Sequence, residues 1–469
     1  MNRILKKIAP AITAIALLTA CSQGSSGGGA PAGIRAIPIN LNQLIQGYYP
    51  TISGTNAYVV PVASAAQNPL IGLSMFLPNG LQTPPASSSA QVVIPRLPTA
   101  PTPMLSFWLL NANLPAEPVF NPLIVSVDNL GRFVYSNNFV AESNPLFAYL
   151  VTPGARSSNG LIATSNMIAN GFDGLSESNI NTTFQVINLP VSGKSVAPTP
   201  FAVVGFSTSP TDIGLAFSDF VPLTGSSMIS GVSPDFEACN GVVPGAGGII
   251  SAMNTFNSTQ DNASFVGVGT ESGAICIYNP STESWISLTQ AAVARGYTVG
   301  GSIAAIQFLN FSNNRFMYFA NAAESTIPVA AAIWRATLDN NNQPSTLVNL
   351  FDTSMFSNVP DASTLLGQTL FVDPFNNVYI GSGVIPDIPD SKLKHKNKNF
   401  SSKNVAGPTP TKVYVLLAGS TVWQAVTLAN DNTDPALTIS IAVDGKTPVV
   451  GTFNAIESIA KAYYLSGVN

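Results

Sequence analysis

Ser264–Leu288 reads SFVGVGT-ESG-AICIY-NPSTE-SWISL. Three short runs of β-branched and aromatic residues are split by two turns rich in Gly, Pro, Asn and Ser. That is the signature of an antiparallel meander: strands at Ser264–Thr270, Ala274–Tyr278 and Ser284–Leu288, with turns at 271–273 and 279–283. Outward from this stretch the same texture runs from Ile34 to the end of the chain. Gly (37) and Pro (36) punctuate 469 residues, and only 9% of residues are charged, where about 25% is usual. Long charged helices are excluded by this composition, and an all-β chain with many short strands is predicted.

A second pattern recurs. Val127–Tyr135 reads VDNLGRFVY and Val372–Ile380 reads VDPFNNVYI, with weaker echoes at Asn310–Tyr318 (NFSNNRFMY) and Ala442–Lys446 (AVDGK). Each is a strand, a turn opened by Asp or Asn with Gly or Asn where φ can be positive, then an apolar strand. The 436 residues from Ile34 to Asn469 make about seven repeats of roughly 62, as a seven-bladed β-propeller requires, with six or eight blades also compatible. A large β-sandwich or two smaller β domains fit the same texture. The Val372–Ile380 copy resembles the inner hairpin of propeller blades in the NHL and gluconolactonase-like families, a resemblance of about ten residues per blade.

Met1–Leu18 begins with a basic stretch (Arg3, Lys6, Lys7) and continues with an apolar run from Ile8 that is too short to span a bilayer core. It ends in Leu18-Thr19-Ala20-Cys21. This tetrad resembles the lipobox of bacterial lipoproteins. The resemblance implies cleavage before Cys21, acylation of its thiol and new amine, and, with Ser at position 22, sorting to the outer membrane. The physical logic is that several acyl chains hold far better than one, at about 0.8 kcal/mol per buried CH2. Removing the leader leaves 16 Lys+Arg against 23 Asp+Glu, a mildly acidic body that argues against nucleic acid as a partner. No later stretch has eighteen consecutive apolar residues, so the body is expected to be held to the membrane only by its lipid. The expected layout is a signal peptide (1–20), a lipidated Cys with a flexible tether (21–33), an N-terminal β segment with a Pro-rich connector (34–103), and the propeller body (104–469). Seven prolines between 78 and 103 motivate the connector, because proline cannot donate to a β-ladder. Helices are expected only at Asn40–Gln46 and Asn454–Tyr464.

Chemistry is sparse. His395 is the one histidine, which excludes three-His zinc sites and disfavours a Ser-His-Asp triad. Gly24-Ser25-Ser26-Gly27-Gly28 matches a nucleophile-elbow pattern only in the tether. Asp431 and Asp434 share a loop and would suit calcium, but the EF-hand spacing is missing. No other cofactor is expected. Trp108, Trp285, Trp334 and Trp423 do not reproduce the tryptophan repeat of quinone-dependent or scaffold-lipoprotein propellers; Trp285, Trp334 and Trp423 read as packing between blades. Lys392, Lys394, Lys396, Lys398 and Lys403 gather in one loop, as a solvated excursion or as a contact for an anionic surface. Cys239 and Cys276 remain after lipidation and are expected to bridge in an oxidising compartment, closing a loop worth ~4 kcal/mol. These features favour a non-catalytic binding or scaffolding module, with an envelope protein or a glycan as partner. The alternatives are a lactonase- or glycosidase-type enzyme using carboxylates or a metal at the propeller axis, and a glycan-binding adhesin.

Overall fold

The computed structural model describes residues 33–39, the strands lying between 57 and 169, and 171–468 apart from 173–174, 176–183, 190–198, 210–211, 223–228, 233–248, 258–263, 295, 297–299, 322–330, 384–408, 442–446 and 455–458. The residues from Ile34 onward make one compact unit.

The unit is built of four-stranded antiparallel meanders in chain order. After β1 (Arg35–Ile39), the first blade holds β2 (Ala57–Pro61), β3 (Ile71–Met75), β4 (Gln91–Pro95) and β5 (Leu105–Leu110). The second holds β6 (Leu123–Val127), β7 (Phe133–Ser136), β8 (Ala148–Arg156) and β9 (Leu161–Ala169). The third holds β10 (Gln185–Leu189), β11 (Thr199–Ser209), β12 (Asp212–Asp219) and β14 (Ile229–Val232), with the two-residue β13 (Val221–Pro222) reaching across to β9. The fourth holds β15 (Ile250–Asn257), β16 (Ser264–Thr270), β17 (Ile275–Asn279) and β18 (Ser284–Ser287), followed by helix α1 (Leu288–Val293). The fifth holds β19 (Ile303–Phe311), β20 (Asn314–Asn321), β21 (Ala332–Leu338) and β22 (Pro344–Asn349). The sixth holds β23 (Leu365–Val372), β24 (Val378–Ser382), β25 (Lys412–Leu416) and β26 (Trp423–Thr427). The seventh has β27 (Ala436–Ile441), β28 (Pro448–Asn454) and β29 (Ile459–Ser466), and takes β1 as its outermost strand.

Seven meanders whose first strands pack against one another make a seven-bladed β-propeller. The first two blades are fused at their rims, where β5 pairs in parallel with β9 through Leu109↔Leu161 and Leu110↔Ile162. The ring closes through β1, whose five residues pair antiparallel with β29 from Arg35↔Ser466 to Ile39↔Ala462. Blade-to-blade packing forms the core. One cluster joins the fourth and fifth blades around Phe256, Phe265, Phe319 and Trp334. Another joins the sixth and seventh around Tyr379, Val413, Val450 and Tyr463.

The meander expected at Ser264–Leu288 is β16–β17–β18. The Asp-initiated turns separate β6 from β7 and β23 from β24. At the third copy Ser312 (φ 51°) and Asn313 (φ 63°) make the two-residue turn between Phe311 and Asn314, both with positive φ as a hairpin of primed type requires. Three expectations are corrected. The helix expected over Asn454–Tyr464 is instead the end of β28 and most of β29, because those residues pair on both sides, with β28 and with β1. The Pro-rich connector contains a strand, β4: only Pro95 lies within it, at its last position, opposite Leu105. The boundary expected at 103/104 falls between β4 and β5, which pair residue for residue, so no division occurs there. The helix expected at Asn40–Gln46 lies outside the described residues.

Candidate functional site

The strands nearest the axis are β2, β6, β10, β15, β19, β23 and β27. None of these seven carries Asp, Glu, His, Lys, Arg or Cys. Their polar content is short amides and hydroxyls, which in the fourth blade are committed to neighbouring backbone. The Ser251 hydroxyl donates to the Ile303 carbonyl at 2.6 Å and the Asn254 amide to the Ile306 carbonyl at 2.8 Å, both on β19. On the other flank the Thr255 hydroxyl and the Asn257 amide both donate to the Val186 carbonyl of β10, at 2.9 and 3.1 Å. Asn188 N–H returns a bond to Asn257 Oδ1 at 2.8 Å. The inner ring of the third to fifth blades is thus laced by neutral hydrogen bonds between blades. Such a wall presents dipoles and holds no proton donor or acceptor that titrates near neutrality.

Each meander puts its first and third turns on one face. On that face of the sixth blade lies a buried polar knot. Asp373 is fully buried; its Oδ1 accepts the N–H groups of Phe375 and Asn377, both at 2.9 Å. Its Oδ2 accepts Asn377 Nδ2 at 2.8 Å and the Tyr379 hydroxyl at 2.7 Å. Asn376, at φ 72°, accepts the Tyr318 hydroxyl of the fifth blade. Asn377 Oδ1 accepts Ala418 N–H at 2.8 Å, tying the first turn of the blade to its third. Burial, then the Asp373 charge, push the Tyr379 phenol far above its ordinary value. Burial also raises Tyr318, against the opposing pull of Arg335. Between the fourth and fifth blades the Arg315 guanidinium stands 5.1 Å from the ring centroids of both Phe256 and Phe265 and donates to Asn342 Oδ1. These knots fasten turns and blades together. The Asp-turn and its Tyr379 lie within one motif of the sequence, whereas Tyr318, which bonds Asn376, comes from a strand of the neighbouring blade.

Cys276, on β17, is fully buried between the third and fourth blades and is engaged in a disulfide. Cys21, Cys239, His395 and the five lysines at 392, 394, 396, 398 and 403 lie outside the described residues. Trp423 does bridge blades: its indole N–H donates to the Leu350 carbonyl at 3.0 Å and its ring meets Phe351 edge-on at 5.6 Å. Trp334 donates to Asn321 at 2.9 Å within the core shared by the fourth and fifth blades. Trp285 packs on Tyr278 at 4.9 Å. In the loop expected to suit calcium, Asp434 is buried and paired with Lys461 at 3.5 Å, while Asp431 is exposed. Among the described residues no three His, Cys, Asp or Glu side chains gather as metal ligands, and no helix is long and apolar enough to cross a membrane.

No protein-family profile matches the chain, and no curated protein matches it. Solved structures of similar shape exist. The Dos1 propeller is 11% identical at a TM-score of 0.41, over 88% of this chain and 96% of that one. The RRP9 WD40 repeats are 9% identical at a TM-score of 0.39, over 92% and 99%. A chain of the mitotic checkpoint complex is 8% identical at a TM-score of 0.42, over 95% and 98%. The propeller architecture of this protein is read from its own strand order.

Proposed function

We propose that this protein is an outer-membrane lipoprotein, acylated at Cys21, whose propeller is a non-catalytic binding or scaffolding module for another envelope component. The observation that carries the non-catalytic half is the inner ring. Funnel chemistry of the lactonase or glycosidase kind needs carboxylates or metal ligands near the axis. Here the axial strands carry neutral side chains, and those of the fourth blade are occupied in holding its neighbours. What the fold offers a partner is its two broad faces of turns. The anchoring half rests on the leader sequence and its lipobox resemblance. The lysine-rich loop at 392–403 supplies a second, salt-sensitive contact to an anionic surface, and Cys239 is the bridging partner of Cys276.

The test is affinity purification of the tagged, native protein from its own membranes. The expected result is co-purification of one envelope protein in stoichiometric amount, or retention on envelope glycan. A chain recovered alone that hydrolyses lactones or glycosides would overturn the reading.

A further inference from the structure

Six large hydrophobic side chains are markedly exposed among the described residues. Four of them, Ile37 (48%), Met355 (53%), Phe375 (43%) and Val422 (39%), lie around the sixth blade, Met355 and Val422 on its side toward the fifth and Ile37 on the strand of the seventh beside it. Phe375 is in the first turn of the sixth blade and Val422 in its third, and the Asn377–Ala418 bond joins those turns. Met355 lies two residues before Ser357, which pairs with Val422. Ile37 is on β1, the outer strand of the seventh blade, which packs beside β26.

The end of the sixth blade that carries Phe375 and Val422 matches the end of the seventh at which β1 begins. Val372, Val378, Leu416 and Trp423 share one end of the sixth blade by register. In the seventh, the turn between Ile441 and Pro448 marks the matching end, and Arg35 lies there opposite Ser466. The rim is also uncharged. In 373–377 and 417–422 the single ionisable group is Asp373, which is fully buried. Beside it Arg35 is an exposed cation, and Asp352, whose carbonyl accepts the Met355 N–H, is a partly exposed carboxylate.

We infer that this rim docks on the lipid surface to which the chain is anchored, seating Phe375, Val422 and Met355 at the headgroup boundary with Arg35 beside anionic headgroups. The inference rests on the lipoprotein reading. The twelve residues between Cys21 and Ile34 have an r.m.s. span of ~20 Å, and the propeller's first described strand begins at this end, at Arg35. The apolar side chains of the rim lower its free energy at an interface, with Arg35 as the cation beside them. The outcome is a propeller held with one face toward the bilayer and the opposite face presented outward.

The test uses the full-length protein purified from its membranes and reconstituted in phosphatidylethanolamine–phosphatidylglycerol vesicles, with and without a doxyl-labelled lipid. Phe375→Trp is compared with Val293→Trp, after subtraction of the wild-type emission. Val293 is somewhat more exposed (52%) but lies at the end of α1, in a connection between blades on the other face. The fractional quenching of the Phe375 probe is expected to be at least about twofold that of the Val293 probe. Equal quenching of the two would overturn the docking. Should Phe375→Trp disturb the turn, Val422→Trp makes the same comparison with the same two outcomes. The mass of the N-terminal peptide separates the premises. An unacylated N-terminus overturns the anchoring and, with it, the docking; an acylated chain with an unquenched rim overturns the docking alone.

Discussion

Asp373 shows how one side chain can set a turn and the strand that follows it. Its carboxylate accepts four hydrogen bonds, two from backbone, one from an amide and one from a phenol. Asp373→Ala would leave those donors buried and unmet, and we expect a loss of about 3–5 kcal/mol in urea unfolding. Asp373→Asn keeps the acceptor for the two N–H groups but turns an NH2 toward Asn377 and Tyr379; a loss of about half that size is expected. Tyr463 gives a pH test. Burial pushes its phenol up to about 12, partly offset by the bond from Asn432 at 2.8 Å. A phenol with a raised folded-state pKa contributes stability that is complete below about pH 10 and is lost as pH climbs from there to 12. Unfolding midpoints should therefore fall above pH 10, and Tyr463→Phe should flatten that fall. An unchanged slope in the variant would assign it to other groups. The aspartate was legible because an Asx-turn is local chemistry; Tyr318 and Tyr463 were not, because their hydroxyls meet partners brought in by tertiary packing.

Among the elements, the misread segment is instructive. Ile456, Ile459, Ala460 and Tyr463 suit one face of a helix, yet β29 is a strand because its edges are claimed by β28 and β1. Pairing over two ladders outweighs a short periodic pattern. Close approach between neighbouring strands also makes glycine necessary. A Cβ on Gly381 of β24 would come within 2.8 Å of the Ala436 carbonyl oxygen and its Cβ. Gly381→Ala should cost about 1–3 kcal/mol, read as a lower denaturation midpoint. The disulfide is an element-level constraint as well. Peptide mapping without reductant should find Cys276 joined to Cys239, tying the connection between the third and fourth blades to β17; recovery of Cys239 as a free thiol would refute that pairing.

For the whole molecule, the count of seven was legible because blades of similar size repeat along the chain, and repetition survives where individual strands are ambiguous. Two features were not. The parallel β5–β9 contact and the completion of the seventh blade by β1 are pairings between distant segments, which no local pattern reports. The apolar rim was hidden because its members come from residues 37, 355, 375 and 422 and become neighbours only through register. Closure has a measurable weight. Deleting residues 34–39 removes Ile34, Ala36 and Ile39 from the last blade and should destabilise the protein by about 3–5 kcal/mol, at roughly 1.5–3 kcal/mol per large buried side chain. A deletion that leaves the urea midpoint unchanged would show that six blades and a three-stranded seventh suffice.

Closure through β1 also orders events in time. Of the propeller's described strands, the one synthesised first is the one whose partner is made last: Ser466 bonds to the carbonyl of Arg35 across 431 positions of chain. Intermediate blades can form as they emerge, but the first strand must wait, unpaired, for the final thirty or so residues. A chain cut short anywhere in its last blade would keep that strand exposed to quality-control proteases. The fold therefore leaves its first strand without a neighbour until the strand that pairs with it has been made.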